Sequence, residues 1–418
     1  MAARGPRMRN DLATVRYDDI RTPVATDPDV RSVGAADQLG TSVHLGEGSE
    51  LTFERARRRL REFGFNESLI RAHYILDESG PVTLPARRFS TAGVTVSPGL
   101  DALVHLFVGQ EAIAVNAVHT AIGSDLFADL HELGLISVSS EECRAAVRAE
   151  PVDAVILCAD RVQGRSFDNE HVLNVWNRSS KAFLKMLPTS HCETFLELCC
   201  GAGPACLTTG SGAADIAYGI DINPRAIRFA EFNRLLNGLH NARLECGDLF
   251  GTMVGTRFDR IVAHPPYVPI VGGRAVFADG GINGEPVSAA IIRQVPQHLT
   301  EIGAFYAYLL LSDRRAAPAE WRVRDMLGRG HEDFDVMLLV NREQSPVTHE
   351  SDANAPVRPS NGAELLIQAC IDLRIERILI TGLVIRPRQG REAVTLRLAP
   401  GEKFGLGRIG NDSAALDR

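Results

Sequence analysis

Cysteine is sparse in this chain and follows no pattern. Eight thiols are spread over 418 residues, Cys199 and Cys200 are adjacent, and no CxxC pair occurs. That excludes a disulfide framework and zinc-finger spacing, so no metal site is expected. The thiols read as free, buried groups in a reducing cytosol, which gives a cytoplasmic expectation. Long apolar runs are also missing. No stretch of about 18 apolar residues exists to span a membrane. The N-terminus has arginines but no apolar run, so no signal peptide is expected. An excess of basic charge is lacking too. The 45 Lys and Arg against 52 Asp and Glu give a net charge of −7, which weighs against a nucleic-acid partner unless a basic patch hides in the average. No internal repeat is visible.

The remaining composition, 45% hydrophobic and 23% charged, is that of a globular protein, and the length exceeds one ordinary domain. Residues 1–48, rich in Arg, Asp, Gly, Ser and Thr without a period, read as a flexible arm. Regular structure is expected from Thr52, where Phe53, Ala56, Leu60 and Phe63 recur at helical steps before Gly64. Residues 102–108, 112–122 and 126–133 read as short helices, followed by a strand at 135–138. That pattern fits either a small winged-helix-like module or a generic helical cap. Another strand is expected at 152–158. The N-terminal domain is placed at 49–165, a catalytic domain at 166–400 and a tail at 401–418.

From Thr194 onward strands and helices alternate, which implies an α/β fold with a mostly parallel sheet and helices on both faces. Strands are expected at 194–199, 216–221, 242–246, 258–263, 304–311, 334–341 and 377–386. A β-like run at 393–398 after Gln389-Gly390 reads as closing a hairpin on the last of these. Residues 344–360 read as a loop.

The first of these strands ends in Cys199-Cys200-Gly201-Ala202-Gly203. A glycine turn between strand and helix lets backbone N–H groups approach a ligand closely. GxG alone is weak, and position 206 is Cys where a dinucleotide fingerprint needs a third glycine. Three features strengthen it. Glu197 lies inside an otherwise apolar strand, where a carboxylate needs a partner. Asp221 ends the next strand, at a spacing that suits ribose hydroxyls. Asn223 and Pro224 then mark a helix start and Gly238 its stop. Asp248 ends the third strand, where it reads as either an adenine acceptor or a helix cap, with Leu249 beside it.

Residues about 165–315 resemble class I methyltransferases that use S-adenosylmethionine (SAM). Within that class they are most similar to the glutamine-N5 methyltransferases of release factors. The matches run in order: Glu-Leu-x-Cys-Gly-x-Gly-Pro (197–204), Asp-Ile-Asn-Pro (221–224), Gly-Asp-Leu-Phe (247–250), Pro-Pro-Tyr-Val-Pro (265–269) and Asp-Gly-Gly-Ile-Asn-Gly (279–284). The resemblance implies a seven-stranded, Rossmann-like methyltransferase sheet. It also implies SAM as cofactor, held by Glu197, Cys199, Gly201, Gly203, Asp221, Ile222, Asp248, Leu249 and His264.

Where the family has Asn-Pro-Pro-Tyr, this chain has His264-Pro265-Pro266-Tyr267. An Asn oxygen there accepts one amide N–H and a proline-region carbonyl the other, which holds a poor nucleophile in attack geometry. Neutral imidazole has one acceptor and one donor, and it can take a proton near neutral pH. His264, Tyr267 and Pro265 are therefore the expected catalytic residues, for an acceptor that loses a proton. His171, Trp176, Tyr267 and Glu285 are candidate substrate-binding residues, Glu285 for a cationic acceptor. A small-molecule acceptor, in specialised metabolism, is the main expectation. A protein glutamine, a nucleic acid, and a SAM-binding enzyme that does not methylate are the alternatives. The oligomeric state is left open, with a homodimer as the candidate.

Overall fold

A computed structural model describes residues 45–46, 48–75, 87–88, 96–161, 170–269, 276–346, 363–388, 390 and 392–400. They fall in one compact unit, Val43–Arg418; the other, Met1–Ser42, lies outside the described residues. So do most of the expected arm, most of the loop at 344–360 and the tail at 401–418.

The chain opens with α1 (Glu50–Glu62) and α2 (Glu67–His73). Ser49 caps α1 by accepting the Thr52 N–H at 3.2 Å, and Asn66 caps α2 through the Leu69 N–H at 2.9 Å, each satisfying an orphan donor of a first turn. The two-residue strands β1 (Tyr74–Ile75) and β2 (Arg87–Arg88) pair antiparallel. Then come α3 (Pro98–Leu103), which runs into a π-helical turn at Val104–Val108, β3 (Ile113–Ala114), α4 (Val115–Ile122), α5 (Ser124–Glu132), β4 (Ile136–Val138) and β5 (Glu142–Ala145). The last three strands form an antiparallel sheet in the order β3-β5-β4.

The single strand expected at 152–158 is instead a hairpin, β6 (Arg148–Val152) and β7 (Val155–Ala159). Its turn falls inside the apolar run because Asp153 adopts φ +51°, a conformation that Asp tolerates better than most residues. The hairpin is pinned by a fully buried pair, Arg148 Nε donating to Glu150. Asn174 Nδ2, at 3.1 Å, and the Trp176 backbone N–H, at 2.7 Å, complete the Glu150 carboxylate.

The second half begins with α6 (Arg178–Met186). It continues with β8 (Cys192–Leu198), α7 (Ser211–Ala213), β9 (Ala214–Asp221), α8 (Pro224–Asn237), β10 (Ala242–Cys246), β11 (Phe258–Ala263), α9 (Pro286–His298), β12 (Leu299–Arg314), α10 (Ala319–Leu327), β13 (Phe334–Gln344), α11 (Ala363–Asp372), β14 (Ile375–Pro387) and β15 (Thr395–Leu398). The sheet has eight strands in the order β10-β9-β8-β11-β12-β14-β13-β15. Its first five strands are parallel and β14 alone runs against its neighbours. The expected hairpin between β14 and the last run does not form. Both edges of β14 are taken by β12 and β13, so β15 adds in parallel to the free edge of β13 as the eighth strand.

Alternation along each strand splits the core. Phe195, Tyr306 and Val384 pack in one cluster with the N-terminal helices. Leu196, Phe305 and Ile385 point to a second cluster that includes Ile291 and Val323 of α9 and α10. The front half is thus sealed onto one face of the sheet, with Phe53 of α1 edge-on to Phe232 of α8 at 5.3 Å. No helix among the described residues is long and apolar enough to cross a membrane.

Removing one member of a buried ion pair strands the other charge. Arg148→Ala is therefore expected to lower stability by about 3–5 kcal/mol. A thermal or urea melt of the wild-type and variant proteins checks this.

Candidate active site

The carboxyl edge of the parallel strands carries the first half of the site. After β8 the chain reverses through Cys199, Gly201 and Gly203, all with positive φ. Two carboxylates hold this turn. Glu197, 1% exposed, accepts the backbone N–H groups of Ala205 at 3.2 Å and Cys206 at 2.7 Å. Asp221 accepts Gly201 N–H at 2.7 Å and Asn223 N–H at 2.9 Å. Burial pushes Glu197 up to about 8, against the pull of those two N–H groups. Burial also raises Asp221, opposed by Asn223 and Gly201.

The two glycines differ. A Cβ at Gly201 would meet nothing within 4 Å, so its missing side chain leaves open space beside the turn. A Cβ at Gly203 would lie 2.9 Å from Leu207 Cδ1. A side chain at Gly203 would therefore press on Leu207 of the following helical turn. Around that space the edge presents Asp221, the exposed Asp248, the half-buried Leu249 and Cys199, and Ile222, 40% exposed. Leu249 also has positive φ, +50°.

The second half lies after β11. His264 is enclosed by three rings: Phe183 at 5.3 Å, Tyr308 at 5.7 Å and Tyr267 at 5.8 Å between centroids. Phe183 and Tyr308 are buried walls, whereas His264 and Tyr267 keep part of their surface exposed. Pro265 is buried. Tyr267 hydrogen-bonds the Ser179 side chain, and Asn341 Nδ2 donates to Tyr308 Oη at 2.7 Å. Burial depresses His264 to about 4 and raises Tyr267 to about 12. The partly exposed face of His264 moderates its shift without reversing it, so the imidazole is neutral at physiological pH.

Phe183, Ser179, Tyr308 and Asn341 are not among the residues expected from sequence. Phe183 and Ser179 sit on α6, whose Met186 packs over Gly382 of β14. The one available signal was Tyr306 and Tyr308 at alternate positions of an apolar strand, where a buried hydroxyl needs a partner.

Two expected substrate contacts are corrected. Glu285 is 3% exposed, and its carboxylate is saturated by Arg322 Nη1 at 2.8 Å, Arg314 Nη2 at 2.9 Å and both the N–H and hydroxyl of Ser312 at 2.8 Å. It is committed to the fold and is not free for a cationic acceptor. Its work is to anchor the loop at 276–285, which packs on the Pro-Pro-Tyr segment. Val268 N–H donates to Ala278 O and Gly280 N–H to Val268 O. A Cβ at Gly284 would lie 2.4 Å from Tyr267 O. Trp176 is fully buried; its Nε1–H donates to Pro151 O at 3.0 Å and the Arg71 guanidinium lies 4.9 Å over its ring. It is a core residue, not a pocket wall. His171 is buried with its ring 5.6 Å from Phe277 of the same anchored loop.

Residues 174–309 match the sequence profile of the family described as the methyltransferase small domain. Over 123 residues the chain is 32% identical to the ribosomal protein uL3 glutamine methyltransferase of Bradyrhizobium diazoefficiens, which covers 27% of this chain and 39% of that one. Over 74 residues it is 36% identical to the release factor glutamine methyltransferase of Thermodesulfovibrio yellowstonii, covering 18% and 26%. The chain thus spans well under two thirds of the length of these relatives. Among solved structures, the tRNA m1G37 methyltransferase of M. jannaschii aligns over 76% of each chain at 13% identity and a TM-score of 0.36, a likeness too low to add to the fold described above.

Glu197 carries the pH dependence of the turn. Its folded value of about 8 exceeds its ordinary 4.5. The folded state therefore holds a proton that the unfolded chain releases between these values, and stability falls as pH rises across that window. Glu197→Gln is expected to lessen that fall, read as melting temperature at pH 5, 6.5 and 8 for both proteins. Parallel curves would mean that Glu197 stays ionised.

Proposed function

We propose that this chain is a SAM-dependent methyltransferase whose acceptor is the side-chain amide nitrogen of a protein glutamine. The carrying observation is the uncharged aromatic enclosure of His264. An acceptor amine is protonated until about pH 10, and a hydroxyl also needs a base. An imidazole depressed to about 4 supplies neither service. An amide makes no such demand. It arrives neutral, and once methylated on nitrogen it is a strong acid that a weak base relieves of its proton. The names of the similar glutamine methyltransferases support the same reading. The small-molecule acceptor gains no support from them.

The cofactor fits the carboxyl edge. Open space at Gly201 leaves room beside the turn, and Asp221 has lone pairs beyond the two engaged by backbone N–H groups. Asp221 would hold ribose hydroxyls, Asp248 the adenine amino group, and Ile222 and Leu249 the faces of the base. SAM supplies an electrophilic methyl group on a sulfonium leaving group, so the protein mainly positions and desolvates. His264 accepts one amide N–H through its free ring nitrogen. Tyr267, fixed by Ser179 and the Gly280–Gly284 backbone, packs on the planar amide.

We further read residues 49–165 as a supporting module of winged-helix-like order and 166–400 as the catalytic domain. The exposed positions of α5 include Asp125 and Glu132 and no Lys or Arg. Such a face does not suit a phosphate backbone.

The test is mass spectrometry of a release factor and of ribosomal protein uL3 after incubation with the enzyme and SAM. One added methyl on a glutamine supports the reading. SAM turnover only with small molecules overturns the acceptor, and no calorimetric binding of SAM overturns the activity. Asp221→Ala is expected to weaken SAM binding at least about tenfold, the scale of one charge-assisted hydrogen bond. His264→Asn is expected to stay within about tenfold of wild-type kcat, and His264→Ala to lose about a hundredfold, the scale of a positioned catalytic group.

A further inference from the structure

The hairpin β6–β7 is a two-stranded sheet, so β7 pairs with β6 on one side only. Its other backbone edge faces α8. There two asparagines stand in for a missing strand. Asn237 accepts the Ile156 N–H at 2.9 Å and donates to the Ile156 carbonyl at 2.7 Å. Asn233 does the same for Cys158, at 2.8 Å and 3.0 Å. A carboxamide carries one acceptor and two N–H donors, so it completes the N–H and C=O of one strand residue as a neighbouring strand would. The spacing is matched as well. Alternate strand residues are about 6.6 Å apart, and helix positions four apart are separated by about 6 Å along the axis.

The two side chains differ in their remaining donor. Asn237 spends its second N–H on Asn233 O, within its own helix, at 2.8 Å. Asn233 spends it on the Ala202 carbonyl, at 3.0 Å, between the two glycines of the turn. Asn233 is 0% exposed, so all its bonds are shielded from water. One side chain thus joins the front hairpin, α8 and the turn beside the open space at Gly201.

We propose that Asn233 is a positioning residue for the cofactor site, transmitting the docking of the β6–β7 hairpin to the shape of the Gly201–Gly203 turn. The proposal rests on the reading that SAM binds at this turn. Asn237 supplies an internal control, because it docks the same hairpin without touching the turn. Asp replaces Asn with the same shape but no donor.

Two measurements on the full chain decide the matter. Isothermal calorimetry with SAM is expected to show about tenfold weaker binding for Asn233→Asp, the scale of one buried hydrogen bond, and a change within about twofold for Asn237→Asp. Amide hydrogen exchange without ligand is expected to quicken at Gly203, whose N–H donates to Cys200 O at 2.8 Å, in Asn233→Asp and not in Asn237→Asp. Should Asn233→Asp fail to fold, Asn233→Ala is read in the same way. Equal losses in both asparagine variants, or none in either, would overturn the proposal. If the wild-type protein binds no SAM, the functional reading fails, and the exchange arm alone still tests the link between hairpin and turn.

Discussion

Two carboxylates hold the turn on which the candidate site is built, and neither meets a cation among the described residues. Glu197 and Asp221 receive only backbone N–H groups, from Ala205, Cys206, Gly201 and Asn223. Desolvation alone makes that unfavourable, and both groups are pushed upward in consequence. What they stabilise is a backbone that would otherwise leave four donors near the sheet edge unsatisfied. The parallel register that sets Glu197 against Gly219 and Leu198 against Ile220 brings Asp221 to the turn. If β8 and β9 slipped by one residue, Glu197 would point to the opposite face and the turn would lose its anchor.

Features governed by near neighbours were legible in the sequence. Asn223 caps α8 by accepting the Arg225 N–H at 2.9 Å. Pro224 occupies its first turn, and Gly238 ends it at φ +65°. The runs at 194–199 and 258–263 are strands because burial on both faces of a parallel sheet selects such runs, whereas the strand at 242–246 is a largely exposed edge. Features set by distant partners were not legible. β15 joins β13 because β14 has no free edge, a fact of sheet order. Glu285 looked like a loop charge because Arg314 and Arg322 lie 29 and 37 residues away. Trp176 looked like a pocket aromatic because its partner, the Pro151 carbonyl, belongs to a hairpin that the pattern hid. The ring of Phe183 and Tyr308 about His264 joins three separate segments, and no local spacing encodes it.

The anchored loop and α6 both hold the segment that carries His264 and Tyr267. Glu285 and its two arginines fix the loop against the backbone of Tyr267, leaving no room for a side chain at Gly280, 2.6 Å from Tyr267 Cα, or at Gly284. Helix α6 supplies the Ser179 hydroxyl and the Phe183 ring. Tyr267 is therefore held at both backbone and hydroxyl, which removes rotamer freedom that an acceptor would otherwise have to freeze on binding.

Burial also sorts the charge of the site. His264 is pushed down to about 4, Glu197 up to about 8 and Tyr267 up to about 12, so near neutral pH all three are predominantly uncharged. The other acids at this edge are Asp221, itself pushed upward by burial, and the exposed Asp248. A sulfonium cofactor bound at this edge, as proposed, would arrive with a positive charge and leave without it, because the methyl group departs as a cation equivalent. Acid groups on the cofactor side favour the charged cofactor, while an uncharged acceptor side adds no competing counter-ion to hold the methyl group back. An acceptor that had to arrive as a cation would find Glu285 already closed by arginine. The division of charge between the two halves thus argues for a neutral, planar acceptor on the same grounds as the identity of the residue at 264.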